Sequence, residues 1–229
     1  MAGSTPKKAK DKIVISLCDG MGCMALALRS RWRKLGYTRY IGVEKNKGPR
    51  IVCDAPNPKD DSFPGVEHGL NGHHDIFDIT EDDIKSLPED SVGLLAFGAM
   101  CNDFSKLRLL PDRLDYKGPP RKPGVGPRPG LNGKYGKTLR KCIEILGWVN
   151  KYHPSAKFFS ENVDFSDMKA DWKEVCDALG KPYIINSQDH SFTCRRRAYW
   201  TNIPMPDDFT KGYEPKESND CMDPGRKLQ

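Results

Sequence analysis

The stretch KIVISLCDGMGC, residues 12–23, decides the fold of this chain. Its first six residues predict a buried strand, and the two glycines after them predict a loop where the backbone can approach a ligand. Met24 to Leu35 has the pattern of a helix, and YIGVE, Tyr40 to Glu44, predicts a second strand. A strand, a glycine loop, a helix and another strand are typical of a parallel sheet.

The same alternation of apolar runs and helix-like stretches continues along the chain. The further predicted elements are a weak strand at Asp75–Ile79, strands at Val92–Phe97 and Lys157–Ser160, helices at Lys137–Tyr152 and Met168–Leu179, and strands at Tyr183–Asn186 and Arg197–Asn202. We therefore predict an α/β, Rossmann-like fold with a mostly parallel central sheet and helices on both faces.

Length and composition indicate one domain with an ordinary core, since 229 residues with 37% hydrophobic content can bury one. The sequence has no run of about 18 apolar residues and no secretory signal, so we expect an intracellular protein without a membrane partner. Its eight cysteines include no CxxC pair, which predicts neither a metal site nor a disulfide framework.

The positive charge of the chain is concentrated in one segment, Lys106 to Lys137. This segment has nine lysines or arginines against two aspartates, a balance of +7, whereas the whole chain carries +6. It also contains six glycines and six prolines. Long loops inside a domain are usually functional or disordered, so we predict a mobile basic loop; a disordered insertion is the alternative.

Candidate functional residues follow the predicted strands, where open α/β sheets present their chemistry. Glu44 lies 24 residues after Gly20, near the spacing at which a carboxylate reaches a ribose, and Asp78 is placed to accept from an adenine amine. Cys101 follows the strongest strand, Glu161 and Asn162 follow the next, and Arg195 to Arg197 precede the last. A nucleophile, a carboxyl and arginines at one edge suggest a catalytic site.

The ordered series DGMGC, GVEK, DI, GAMCNDFS, ENV and CRRRAYW resembles the DNA cytosine-5 methyltransferases. The resemblance is strongest to their de novo branch from animals and plants and to its phage and viral relatives, and it spans Lys12 to Pro204. It implies a Rossmann-like fold that binds S-adenosyl-L-methionine and acts on double-stranded DNA. The donor pocket is expected to include Cys18, Asp19, Gly20, Met21, Gly22, Glu44, Lys45, Asp78 and Ile79.

The resemblance also implies roles for the catalytic residues. Cys101 would attack carbon 6 of a flipped cytosine, Glu161 would hold a proton at ring nitrogen 3, and Asn162 would position its segment. Arg197 and Arg195 would contact the cytosine carbonyl and a phosphate. The expected DNA contacts are Asn102, Ser105, Lys106, Arg108, Arg121, Lys122, Arg128 and Lys134.

The sequence departs from the family pattern at Met100, where relatives carry proline, and at Cys18, where they carry phenylalanine. We divide the chain into a basic N-terminus (1–11), a catalytic domain (12–204) and a tail (205–229) that begins an absent target-recognition region. A second polypeptide is one expected source of that region. Three alternatives stay open: a regulatory DNA-binding subunit of the same fold, a tRNA cytosine-5 methyltransferase, and a nucleotide-binding oxidoreductase.

Overall fold

A computed structural model describes residues 12–54, 63–106, 128–187 and 195–206 of the protein. In these ranges the chain forms seven strands and six α-helices. In chain order they are β1 (Ile13–Leu17), α1 (Cys23–Arg29), α2 (Trp32–Leu35), β2 (Arg39–Val43), α3 (Lys47–Cys53), β3 (Glu67–His68), α4 (Glu81–Lys85), β4 (Val92–Phe97), α5 (Gly136–Tyr152), β5 (Lys157–Val163), α6 (Lys169–Leu179), β6 (Tyr183–Asn186) and β7 (Arg196–Thr201).

The seven strands form one mixed sheet in the order β3-β2-β1-β4-β5-β7-β6. Strand β1 pairs in parallel with β2 and with β4, and β2 pairs in parallel with β3. Strand β7 runs antiparallel to both of its neighbours, β5 and β6. The predicted fold class, an α/β Rossmann-like arrangement with a mostly parallel sheet, is confirmed.

The chain divides into two compact units. The first comprises residues 1–98 and 141–158, and its core includes β1, in which every side chain is buried. The second comprises residues 99–140 and 159–229. Its core contains an aromatic cluster in which the ring of Phe165 lies 4.5 Å from Phe104 and 6.2 Å from Trp200, centroid to centroid.

The strand predicted at Asp75–Ile79 is wrong. These residues include a short 3-10 helix, Ile76–Asp78, because the Asp75 carboxylate accepts a hydrogen bond from the backbone N–H of Phe77 and turns the chain. The third strand is instead the short β3, in which Glu67 and His68 pair with Ile41 and Gly42. The helix predicted at Met24–Leu35 is broken between Arg29 and Trp32 into α1 and α2.

Strand β5 continues past the predicted end at Ser160 to Val163, so Glu161 and Asn162 lie within it. The other predicted elements occur close to their expected bounds, and β4 and β6 have the bounds predicted. Two helices were not predicted. Helix α3 buries none of its side chains, so it shows no apolar period, and α4 is only five residues long with a capping box between Thr80 and Asp83. Within the described part of the chain, no helix has the length and apolar character needed to span a bilayer.

Candidate active site

The predicted catalytic carboxyl and arginine form a direct ion pair in the second unit. Strands β5 and β7 pair so that Val163 lies opposite Arg197 and Glu161 opposite Tyr199. Side chains two residues apart on a strand project from the same face, so Arg197 reaches diagonally across to Glu161. The Arg197 Nε atom lies 2.8 Å from Glu161 Oε1, and the two side chains are 17% and 31% exposed. The pairing register therefore places an acid and a guanidinium at one accessible point.

Asn162 connects β5 to the segment that carries Cys101. Its side chain is buried, and its Nδ2 atom donates to the carbonyl oxygen of Ala99 over 3.2 Å. Its Oδ1 atom accepts from the backbone N–H of Val163 over 2.8 Å. Because Ala99 is two residues before Cys101, the amide ties the strand that bears Glu161 to the chain that presents the thiol.

Cys101 itself is half-buried at a turn that follows β4. Its carbonyl oxygen accepts from the backbone N–H groups of Phe104 and Ser105, at 3.0 and 2.9 Å. The turn is anchored on its other side by Asp103, whose buried carboxylate accepts from the backbone N–H of Tyr135 over 2.7 Å. The backbone of Cys101 therefore lies between two residues, Ala99 and Asp103, that are each fixed by a hydrogen bond.

The three consecutive arginines alternate between two surroundings. Arg196 donates from Nε to the Asp164 carboxylate over 2.6 Å. Burial alone would raise the pKa of Asp164, but hydrogen bonds from Ser166 and Arg196 hold that pKa below its usual value. Arg195 is exposed just before β7, and its backbone N–H donates to Asn186 Oδ1 over 3.0 Å. Arg196 is therefore engaged with Asp164, away from the face that carries Arg197.

The described part of the basic loop is tied to the second unit. The Arg128 guanidinium donates to the carbonyl oxygen of Phe104 over 2.8 Å and also bonds to the Asp167 carboxylate, and only 10% of its side chain is exposed. Lys106 lies 3.7 Å from the same carboxylate. The hydrogen bond from Arg128 lowers the pKa of Asp167. Asp167 therefore pairs with two of the cations expected to contact DNA.

Three of the other expected DNA contacts lie within the described residues. Asn102 is exposed and Ser105 is half-buried, and the Lys134 ammonium lies 5.6 Å from the ring centroid of Tyr135. Arg108, Arg121 and Lys122 lie outside the described residues.

The predicted donor pocket lies in the first unit, at the glycine turn between β1 and α1. Gly20 and Gly22 both have positive φ angles, +59° and +74°. A methyl group on Gly20 would meet nothing within 4 Å, whereas one on Gly22 would lie 2.4 Å from Cys53 Sγ. The Gly20 backbone N–H donates to Glu44 Oε2 over 3.1 Å. The turn therefore has open space beside Gly20, and the Glu44 carboxylate is hydrogen-bonded to the same glycine.

These residues fit an adenosine cofactor. Glu44 is half-buried, and its Oε1 atom accepts from the Asn46 backbone over 2.7 Å. The Asn46 side chain donates to the same oxygen over 2.9 Å. A carboxylate has about four acceptor positions, so Glu44 keeps room for a ribose hydroxyl. Asp19 instead accepts from the Tyr40 hydroxyl over 2.5 Å, and burial raises the pKa of Asp19.

The remaining predicted pocket residues differ in how much they can contribute. Met21 is 60% exposed and Asp78 is exposed, whereas Ile79 is buried. Lys45 pairs with Asp75 over 2.5 Å. Cys18 has a φ of +55° and hydrogen-bonds to Cys142, which together with burial raises the pKa of the Cys142 thiol.

Sequence reasoning missed three residues that shape the site: Asp103, Asp167 and Tyr199. Tyr199 lies two residues after Arg197, so strand alternation was a signal that placed it on the same face. The contacts of Asp103 with Tyr135 and of Asp167 with Arg128 join positions 32 and 39 residues apart. No local pattern predicts such contacts.

No protein-family model matches the sequence, and no curated protein matches it. Among solved structures, the chain is similar to the S. pombe Dnmt2 methyltransferase at 17% identity and a TM-score of 0.48, over 94% of this chain and 60% of that one. It is similar to the Entamoeba histolytica methyltransferase EhMeth at 15% identity and a TM-score of 0.49, over 84% and 52%. It is also similar to a putative DNA modification methyltransferase encoded within a prophage of E. coli, at 13% identity and a TM-score of 0.45, over 83% and 46%. The chain thus spans less than two thirds of each of these structures.

Proposed function

We propose that this protein is an S-adenosyl-L-methionine-dependent DNA (cytosine-5)-methyltransferase in which Cys101 is the nucleophile. The observation that carries the proposal is the link through Asn162. Its neighbour in β5, Glu161, pairs with Arg197, while its own amide holds Ala99 two residues before the cysteine. The carboxyl and the guanidinium are thus in contact, and the backbone that leads to the thiol is hydrogen-bonded to the same strand.

These three groups suit addition to a pyrimidine ring. The Cys101 thiolate adds to carbon 6 of cytosine, and the Glu161 carboxyl holds a proton at ring nitrogen 3, which makes carbon 6 more electrophilic. Arg197 donates to the cytosine carbonyl and keeps Glu161 oriented through their ion pair. S-adenosyl-L-methionine supplies the methyl group that carbon 5 receives. A base from solvent then takes the proton at carbon 5, and elimination releases the Cys101 thiolate.

The first unit supports the choice of methyl donor. Gly20 and Gly22 adopt the positive φ angles that let a backbone turn lie close to a ligand, and open space adjoins Gly20. Glu44 would accept from the ribose hydroxyls, and Asp78 from the adenine amine. A glycine turn after the first strand and an acidic residue after the second are features that an adenosine-containing donor requires.

The DNA substrate is supported by the charge distribution. A target cytosine cannot react inside a duplex, so it must rotate out of the stack, and the backbone on either side then needs cationic contacts. Nine lysines and arginines between Lys106 and Lys137 can supply them. Because Asp167 already binds Lys106 and Arg128, we expect phosphates to compete with Asp167 for these two cations.

The proposal is tested by incubating the full chain with S-adenosyl-L-methionine carrying a tritiated methyl group, and with either duplex DNA or tRNA. Label in DNA that is lost in Cys101→Ser supports the proposal. Cys176→Ser is the matched control, because Cys176 is another half-buried cysteine of the second unit and should retain activity. Covalent trapping on DNA containing 5-fluorocytosine should likewise require Cys101.

Other outcomes would replace the proposal. Label in tRNA alone would indicate a tRNA cytosine-5 methyltransferase. Binding of DNA without label in either nucleic acid would indicate a regulatory subunit. Label in DNA that survives Cys101→Ser would show that another residue is the nucleophile.

A further inference from the structure

Tyr199 lies on the same face of the sheet as Glu161 and Arg197, in the second unit. In β7 it is directly opposite Glu161 of β5, and Arg197 is two residues before it on the same strand. Its half-buried ring packs against Phe159, with 5.7 Å between the centroids. Residues directly opposite in an antiparallel pair project from the same face, so the phenol emerges beside the Glu161–Arg197 ion pair.

The surroundings of the Tyr199 phenol keep it a hydrogen-bond donor. Burial raises its pKa, and the negative charge of Glu161 raises it further, while Arg197 and Arg195 partly oppose these effects. The phenol therefore stays protonated at neutral pH. Across the described ranges of the chain, no residue makes a hydrogen bond to this hydroxyl. A protonated donor beside two guanidiniums is ready for an acceptor from a ligand.

We infer that Tyr199 is a substrate-binding residue whose hydroxyl donates a hydrogen bond to an acceptor oxygen of the bound nucleotide. The inference rests on the proposed function, because it takes the ligand to be a cytosine nucleotide in DNA. Arg195, Arg197 and Tyr199 together provide a set of donors, and Glu161 is the acid among them. Such a set fits an uncharged carbonyl oxygen of the pyrimidine or an adjacent phosphate oxygen, and both offer the same acceptor chemistry.

The test compares Tyr199→Phe with the wild-type protein on a short duplex that contains one target cytosine. The substitution removes only the hydroxyl, so we expect about three- to tenfold weaker binding, the usual effect of losing one hydrogen bond. KM should rise by a similar factor, and Tm should stay unchanged because the hydroxyl bonds to no described residue. Tyr37→Phe is the matched control, because Tyr37 is also half-buried and packs on an aromatic ring, Trp32, but lies in the first unit.

A second duplex with an abasic site in place of the target cytosine separates the two sources of the oxygen. If Tyr199→Phe weakens binding only to the cytosine duplex, the acceptor is the base carbonyl; if it weakens binding to both, the acceptor is a phosphate. Wild-type affinity and KM in Tyr199→Phe would overturn the inference, as would a fall in Tm with unchanged affinity. If the wild-type protein binds and methylates no DNA, the proposed function fails instead, so the two failures are distinguishable.

Discussion

The Arg197 Nε atom and the Glu161 Oε1 atom lie 2.8 Å apart, bridging two strands whose pairing places Val163 opposite Arg197. Both side chains remain partly accessible, and ion pairs in contact with water contribute little to stability, about 0–1 kcal/mol. We therefore expect the pair to matter more for methyl transfer than for the stability of the fold. A substitution that removes its charge should affect activity far more than it affects Tm.

Glu161→Gln tests this expectation. Glutamine keeps the size of the side chain but is not a proton donor of the required kind, so methyl transfer to DNA should fall by about a hundredfold or more. Tm should change little. Glu174→Gln is the control, since Glu174 is an exposed carboxylate of the same unit that pairs with Arg140 over 2.8 Å. An equal loss of transfer in both variants would contradict a specific role for Glu161.

Asn162→Ala should lower both stability and activity. The substitution leaves the Ala99 carbonyl and the Val163 N–H without their buried partner, at a cost of about 1–3 kcal/mol for a group left unsatisfied. Transfer per folded molecule should fall as well, because the segment before Cys101 loses its anchor. Urea unfolding and a single-turnover assay measure the two effects.

The control for this variant is Asn132→Ala. Asn132 is an exposed asparagine of the same unit that bonds to Arg140 over 2.9 Å, so its loss should cost less than about 0.5 kcal/mol. If Asn162→Ala is destabilised but transfers methyl groups at the wild-type rate, the anchor has no bearing on Cys101.

Gly22→Ala should be more destabilising than Gly20→Ala. Both positions have positive φ, which costs an alanine about 1–2 kcal/mol. Only at Gly22 does the new methyl group also collide, with Cys53 Sγ. In a Cys53→Ala background the extra penalty at Gly22 should shrink, which a double-mutant cycle by urea unfolding measures. The same Gly22→Ala penalty in both backgrounds would rule out the collision.

Asp167→Asn should change stability in a pH-dependent way. The hydrogen bond from Arg128 lowers the pKa of Asp167 in the folded protein, so the unfolded chain takes up this proton at a higher pH than the folded one. The carboxylate therefore stabilises the fold above its ordinary pKa of 3.8, and the contribution is lost as the pH falls through the lowered value. The stability difference between wild type and variant should be modest near neutral pH and vanish in acid.

The same variant should bind duplex DNA more tightly, because Lys106 and Arg128 no longer share an anion with the phosphates. Fluorescence anisotropy at several salt concentrations measures the affinity. Weaker binding by Asp167→Asn would mean that the carboxylate positions Arg128 for DNA and does not compete with it.

Strong apolar runs made most of the fold predictable. VGLLAF became β4 and YIIN became β6 because local hydrophobic pattern and tertiary burial agree there. The strand prediction at Asp75–Ile79 failed because the tendency of aspartate to cap a turn outweighed a weak strand pattern. Helix α3 was not predicted, because a helix that buries no side chain shows no apolar period in its sequence.

The candidate site was predictable in its members but not in its connections. Cys101 and Glu161 both follow predicted strands, so a parallel sheet places them at one edge. Arg197 begins its strand and reaches the same edge because β7 runs antiparallel to β5. Whether Glu161 contacts Arg197 depends on the register between β5 and β7, which the sequence does not state. The place of Tyr199 depends on the same register, and that of Asp103 depends on contacts between distant segments.

The antiparallel pairing of β5 with β7 also restricts how this protein can change during evolution. Side chains alternate with a period of two, so one residue inserted within either strand would turn Glu161 and Arg197 to opposite sides of the sheet. Point substitutions can adjust the pocket gradually, but length changes inside these two strands would dismantle it in one step. Tolerated insertions and deletions should therefore fall in the loops that flank β5 and β7, outside residues 157–163 and 196–201.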